Sequence, residues 1–325
     1  MPTTSQGWCP ATRTLFLPSS PPKVQSTEPV TARALGTDLQ PHTLLALYHT
    51  MVMARAIERR LWVLRRLEKM DFPVRVAGFE VVQVAAAAAL RPGRDWVVPC
   101  QLDLALCLAL GTSPLDVMLG TFGSRAARVV TTPAAAGRHV LHAAGIAYAE
   151  QVSGGDGVTL VCTDRDALAA GDWHEGINFA GAHSLPLICL VEDLASAVPY
   201  AEHGNASPAA RAEGYGLAAE TIDGGDFEAA LAAFQRAVAR AQAKGGPTLI
   251  HATVVELTSR APGGGVRPPE ELEALASLDP IDRMRRGLMA AGVLDEAADE
   301  QVEHECASTV AAAVDNVWSR DKEDA

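Results

Sequence analysis

The sequence is short of basic residues. Among its 325 residues, 27 lysines and arginines face 39 aspartates and glutamates, for a formal net charge of −12. The basic residues are scattered rather than gathered into a stripe, which argues against a nucleic-acid surface. Cysteine is sparse too, with six residues at positions 9, 100, 107, 162, 189 and 306. No two form a C-x-x-C pair and no zinc-ligand cluster is readable along the chain, so reduced thiols in a cytoplasmic protein are expected, with Cys162 and Cys189 buried in apolar runs. No stretch of ~18 apolar residues occurs, which leaves no membrane span. There is no internal repeat, and 27 glycines and 20 prolines are ordinary punctuation. Residues 1–37 are rich in Pro, Ser and Thr. They lack the continuous apolar core of a signal peptide and read as a disordered or partner-docking arm.

What is present is a chain with 48% hydrophobic residues, enough for a sizeable core. Leu44, Leu47, Tyr48, Met51, Val52, Ile57, Leu61, Leu64 and Leu67 recur at helical spacing, predicting a long helix from Pro41 to about Met70 with Asp38 as its cap. The charged set Arg55, Glu58, Arg59, Arg60, Arg65 and Arg66 reads as a solvated or interface face of that helix. A Val/Ala helix over Glu80–Leu90 follows, then a short strand at Trp96–Val98, helices near Leu102–Leu110 and Pro114–Phe122, and an Ala-rich helix over Arg138–Val152. Val158–Cys162 and Pro186–Val191 are continuous apolar runs, as buried parallel strands are. Gly171–Ala182 is helical between them. A strand ending at Ile222, a helix over Asp226–Ala243 and a strand over Pro247–Val255 complete an alternation that predicts an α/β fold, a parallel sheet with helices on both faces. The α/β domain is expected over residues 38–255, followed by a loop and helical extension over 256–325.

In an open parallel sheet, ligands bind beyond the carboxyl ends of the strands. Two strand ends are acidic: Asp164-Arg165-Asp166 and Glu192-Asp193. Carboxylates on neighbouring strand ends can hold a divalent cation and through it a diphosphate. Asp164, Asp166, Glu192 and Asp193 are therefore the candidate site, with Asp164 and Asp193 as candidate metal ligands. A salt-bridged rim is the competing reading, because the loop has no glycine before Gly171 for close backbone approach and because Arg165 sets a cation where a metal would stand. His139 and His142, one turn apart, suit either a metal pair or core and cap roles. His174 and Asn178 share a helix face, as a hydrogen-bonded structural pair would.

The string Gly171-Asp172-Trp173-His174-Glu175-Gly176-Ile177-Asn178-Phe179-Ala180, with Leu185-Pro186-Leu187-Ile188 and Glu192, resembles the alpha subunit of thiamine-diphosphate-dependent 2-oxoacid dehydrogenases, the branched-chain type more closely than the pyruvate type. Further matches follow in order: Leu47-Tyr48-His49-Thr50-Met51 with Glu58-Arg59-Arg60-Leu61-Trp62, Gly78-Phe79-Glu80, Ala143 to Ala149, Gly214-Tyr215-Gly216, Gly246-Pro247-Thr248, and Asp279-Pro280-Ile281. They span about residues 40–318. The resemblance implies a thiamine-diphosphate-binding-type fold, a magnesium-held diphosphate, and oxidative decarboxylation of a 2-oxo acid with acyl transfer to lipoamide. It implies a beta-subunit partner in a hetero-oligomer, with a homodimer as the alternative.

The departures fall on functional positions. The family's magnesium aspartate lies in a Gly-Asp-Gly loop, and the matching position here is Arg165; a one-residue shift would place Asp164 there. The family's second metal ligand, an asparagine, is matched by Asp193. Its Tyr-Arg-Asp-His segment, which helps to hold the diphosphate, reads Gln101-Leu102-Asp103-Leu104, so that Asp103 alone survives. The family's late active-site histidine falls around Thr258-Ser259. Asp164, Arg165 and Asp103 are thus the candidate cofactor contacts, and no catalytic residue is assigned. Thiamine diphosphate and Mg²⁺ are expected for the family but not bound here in its usual way. Three readings stay open: a catalytically degenerate, structural or regulatory alpha-like subunit, an active subunit with an altered cofactor site, and a binding protein that reuses the cleft for another ligand.

Overall fold

The computed structural model describes residues 37–69, 76–100, 103–120, 128–130, 137–194, 207–255, 257 and 269–323. The proposed arm at 1–37 and the Thr258-Ser259 position fall almost wholly outside these residues.

Five strands form one parallel sheet: β1 (Trp96–Val98), β2 (Thr159–Asp164), β3 (Leu187–Leu194), β4 (Ala218–Asp223) and β5 (Thr248–Val254), in the spatial order β1-β2-β3-β5-β4. All four pairings are parallel. The expected α/β architecture is therefore the observed one. A parallel sheet needs cover on both faces, and the apolar runs of β2 and β3 supply side chains to each. On one face pack α1 (Pro41–Arg66), α2 (Glu80–Ala89), α3 (Leu104–Ala109), α4 (Pro114–Met118), α8 (Phe227–Gln242), α10 (Pro280–Ala290) and α11 (Glu296–Glu323), with Leu160, Cys162, Leu190 and Ile250 of the sheet. On the other lie α5 (Arg138–Val152), α6 (Gly171–Ala182) and α7 (Pro208–Glu213), against Val161, Cys189, Val191 and Leu249. A further helix, α9 (Pro269–Ser277), lies beyond the Gly/Pro segment and was not legible in the sequence.

Local chemistry sets the helix ends. Ser113 and Asp116 form a reciprocal capping box at α4, Asp226 accepts from Ala229 N at α8, and Asp279 accepts from Ile281 N at α10. At α1 the expected cap, Asp38, lies two residues too early: Gln40 is the N-cap, without a side-chain bond, and Pro41 occupies the first turn. Gly181 matters for packing, since a Cβ there would stand 1.9 Å from the Tyr215 carbonyl oxygen. Glycine lets α6 approach the turn after α7 backbone to backbone.

The charged set on α1 divides between surface and core. Arg59 and Arg66 are exposed, but Arg55 and Glu58 are buried, which corrects the solvated-face expectation for those two. Arg55 lies seven residues after Tyr48 on the core-facing stripe. Its Nε donates to Glu80 at 2.6 Å and its Nη1 to Asp279 at 2.8 Å. Glu58 accepts from Ala77 N at 2.9 Å, and the second oxygen of Glu80 from Gly78 N at 2.8 Å. This network fastens α1, the turn before α2 and the start of α10.

Candidate functional site

The sheet register places Asp164 opposite Glu192, Val191 opposite His251 and Asp193 opposite Thr253, so the carboxyl ends of β2, β3 and β5 are adjacent. Glu192 and Asp193 lie within β3, which runs to Leu194 rather than ending at Val191. Successive residues of a strand point to opposite faces. The acidic pair is therefore split between the two sides of the sheet.

On the α5–α6 side, Arg165 Nη1 donates to Asp193 Oδ2 at 2.7 Å, and His251 Nε2 meets the same oxygen at 2.9 Å. Burial opposes ionisation of Asp193, but the hydrogen bonds from His251 and Arg165 outweigh it and hold this carboxyl below the usual aspartate range. His251 was not singled out in the sequence. Its one signal was a polar residue inside the buried run Leu249-Ile250-His251-Ala252. Asp164 Oδ1 accepts from Ala167 N at 2.9 Å, capping a 3₁₀ turn over Asp166–Ala169. The Leu168 and Ala170 amides bond within the same loop, to the Arg165 and Ala167 carbonyls, and the Ala167 and Leu168 side chains are buried. Asp166 is exposed.

The structure thus brings Arg165 and Asp193 into contact at the two positions that the resemblance assigns to metal ligands. Their charges satisfy each other, and the amides of Ala167, Leu168 and Ala170 are already used. These residues do not fit a magnesium ion carrying a diphosphate.

On the α2–α3 side stands a second polar group. Asp103, the N-cap of α3, and Glu192 are 0% and 1% exposed. Gln83 Nε2 donates to Glu192 Oε1 at 3.0 Å, and Cys100 N donates to Asp103 Oδ2 at 2.6 Å. Burial pushes both carboxyls up, Glu192 further because the Asp103 carboxylate lies beside it. Asp103, a candidate cofactor contact, is sealed from solvent.

The histidine expectations resolve as structural. His139 Nε2 bonds the Cys162 carbonyl at 2.8 Å in the core, and His142 is exposed. His174 Nδ1 bonds Tyr215 Oη at 2.7 Å, with Trp173 packed edge-on against its ring, while Asn178 is exposed. Neither histidine of the first pair joins a group of three or more metal-ligating residues among the described residues.

An open parallel sheet, crossover helices on both faces and polar residues at adjoining strand ends define the chain as an α/β domain of the doubly wound class. The family is more specific. A family model, dehydrogenase E1 component, matches residues 48–325, and the chain belongs to that family, which is thiamine diphosphate-dependent. The chain is 32% identical over 308 residues to the 2-oxoisovalerate dehydrogenase subunit alpha of Bacillus subtilis, covering 87% of this chain and 92% of that one. It is 34% identical over 289 residues to the 3-methyl-2-oxobutanoate dehydrogenase subunit alpha of Mycobacterium tuberculosis, covering 84% and 78%. It is 28% identical over 281 residues to the pyruvate dehydrogenase E1 component subunit alpha of Acholeplasma laidlawii, covering 82% and 81%. The alpha-subunit resemblance drawn from the motifs is thereby borne out.

Proposed function

We propose that the chain is an alpha-subunit-like component of a 2-oxoacid dehydrogenase that does not hold thiamine diphosphate through magnesium and serves a structural or regulatory role. One observation carries this reading: the Arg165 guanidinium stands 2.7 Å from Asp193, joining the two positions that the family resemblance gives to metal ligands. A guanidinium so placed repels Mg²⁺ and already neutralises the carboxylate. The matching beta-type subunit is the proposed partner. The outward side of α5 supports a helix-packing partner, since it presents Gly145, Tyr148, Ala149 and Val152 to solvent, with Val152 65% exposed. Calorimetric titration of the chain with thiamine diphosphate and Mg²⁺, alone and with the beta subunit, tests the reading. No binding is expected in either case; micromolar, magnesium-dependent binding would overturn it.

A second reading has its own support. The Arg165 side chain is 31% exposed, so it can still meet a phosphate directly. An active subunit of this kind would bind thiamine diphosphate without magnesium, and Arg165→Ala would abolish that binding.

A further inference from the structure

The buried polar group on the α2–α3 side of the sheet has the makings of a cation site of its own. A carboxylate oxygen of Asp103, a carboxylate oxygen of Glu192 and the Cys100 sulfur all lie within 4.8 Å of one another. It is the one group of three or more His, Cys, Asp or Glu side chains among the described residues with this spacing. The donors come from separate parts of the fold: Cys100 follows β1, Asp103 caps α3 and Glu192 is in β3. Glu192 is 1% exposed, and its Oε2 is buried without a hydrogen-bond partner. Its other oxygen accepts from the neutral Gln83 amide, the Asp103 carboxyl lies beside it, and among the described residues neither carboxylate forms an ion pair. Two carboxylates so deep in a protein need a compensating positive charge, either a shared proton or a metal ion.

We propose that Cys100, Asp103 and Glu192 bind a zinc-class divalent cation. Zinc–sulfur and zinc–oxygen bonds of roughly 2.0–2.3 Å place tetrahedral ligand atoms about 3.3–3.8 Å apart, within the spread seen here. Sulfur in the donor set selects a borderline-soft ion over Mg²⁺ or Ca²⁺. Binding deprotonates the thiol and ties the β1–α3 connection to the middle of the sheet. This group lies on the opposite face from the Arg165–Asp193 pair, and the inference does not rest on how that pair is read.

Elemental analysis of the full-length, tag-free protein, expressed in zinc-supplemented medium and purified without chelator, tests it. Close to one zinc per chain is expected. Protein expressed in cobalt medium should show near-ultraviolet thiolate-to-cobalt absorption, lost in Cys100→Ser, and Glu192→Gln should retain several-fold less metal. Metal-free protein that also takes up no Co²⁺ would overturn the proposal and leave a proton shared by the two carboxyls. Bound zinc whose cobalt counterpart lacks the thiolate absorption would overturn it equally, by placing the metal elsewhere.

Discussion

Replacing Arg165 by aspartate asks directly whether the guanidinium stands in for a metal. In the native chain, Arg165 and Asp193 are 2.7 Å apart, with side chains 31% and 9% exposed. Unit charges ~4 Å apart attract by about 4 kcal/mol at an effective dielectric constant of ~20. Solvent screening at the exposed arginine and desolvation of the buried carboxylate reduce the net contribution to roughly 1 kcal/mol. Arg165→Asp removes that attraction and adds a repulsion of similar size, so a loss of about 2–3 kcal/mol is expected at neutral pH. The introduced carboxylate would stand with Asp164 and Asp193, a set of oxygens suited to Mg²⁺. Urea unfolding followed by tryptophan fluorescence is the assay. Millimolar Mg²⁺ should restore part of the lost stability in the variant and leave the parent unchanged. The sign with pH also follows. Asp193 is held below the usual range in the folded state, so its contribution to the parent is present above ~3.9 and is lost as pH falls through the folded value. In the variant, acid removes the repulsion, so the gap between the two proteins should close below about pH 5. An equally stable variant, or a parent stabilised by Mg²⁺ as much as the variant, would refute the reasoning. Arg165→Asp alone should restore no dehydrogenase activity, because Asp193 still replaces asparagine and the Tyr-Arg pair is absent.

Other expectations concern the scaffold. Arg55→Ala leaves the fully buried Glu80 without its cation and should cost about 3–5 kcal/mol by denaturant unfolding. Burial already raises Glu80 despite Arg55, and a raised carboxyl loses stability as pH rises, so the deficit should grow as pH climbs above the ordinary glutamate range. Gly181→Ala drives a Cβ to within 1.9 Å of the Tyr215 carbonyl oxygen. Overpacking of this kind costs about 1–3 kcal/mol, and the shift should appear in the His174 and Tyr215 NMR resonances. Burial pushes the Cys189 and Cys306 thiols up to about 12. Mass-resolved labelling with a thiol reagent at mildly alkaline pH should leave both unmodified until denaturant is added.

Much of the fold was legible because hydrophobic period and turn chemistry act locally. The helices at Arg138–Val152 and Gly171–Ala182 begin and end where the sequence places them. Ser113, Pro114 and Asp226 mark helix starts as their side chains dictate. The misreadings were of a different kind. Arg55 and Glu58 looked like surface charges because what meets them lies far along the chain: Glu80 and Asp279 are 25 and 224 residues from Arg55, and the Ala77 amide is 19 residues from Glu58. Periodicity places a residue on the core-facing stripe of a helix but says nothing of what meets it there. His251 escaped notice for the same reason, being one polar residue in a buried strand whose partner Asp193 is 58 residues earlier.

The sequence alone determined the alternation of strands and helices, and hence a parallel sheet, together with the family resemblance, which sets Arg165, or Asp164 with a one-residue shift, where the family has its glycine-flanked aspartate. Those features are written in short range, in period, capping and motif order. Only the tertiary structure decided which polar residues meet. Strand alternation sends Asp193 to Arg165 and His251 on one face, and Glu192 to Asp103 and Gln83 on the other. Adjacent carboxylates in one acidic strand end therefore belong to two separate environments, because a pleated strand turns each successive side chain to the opposite side.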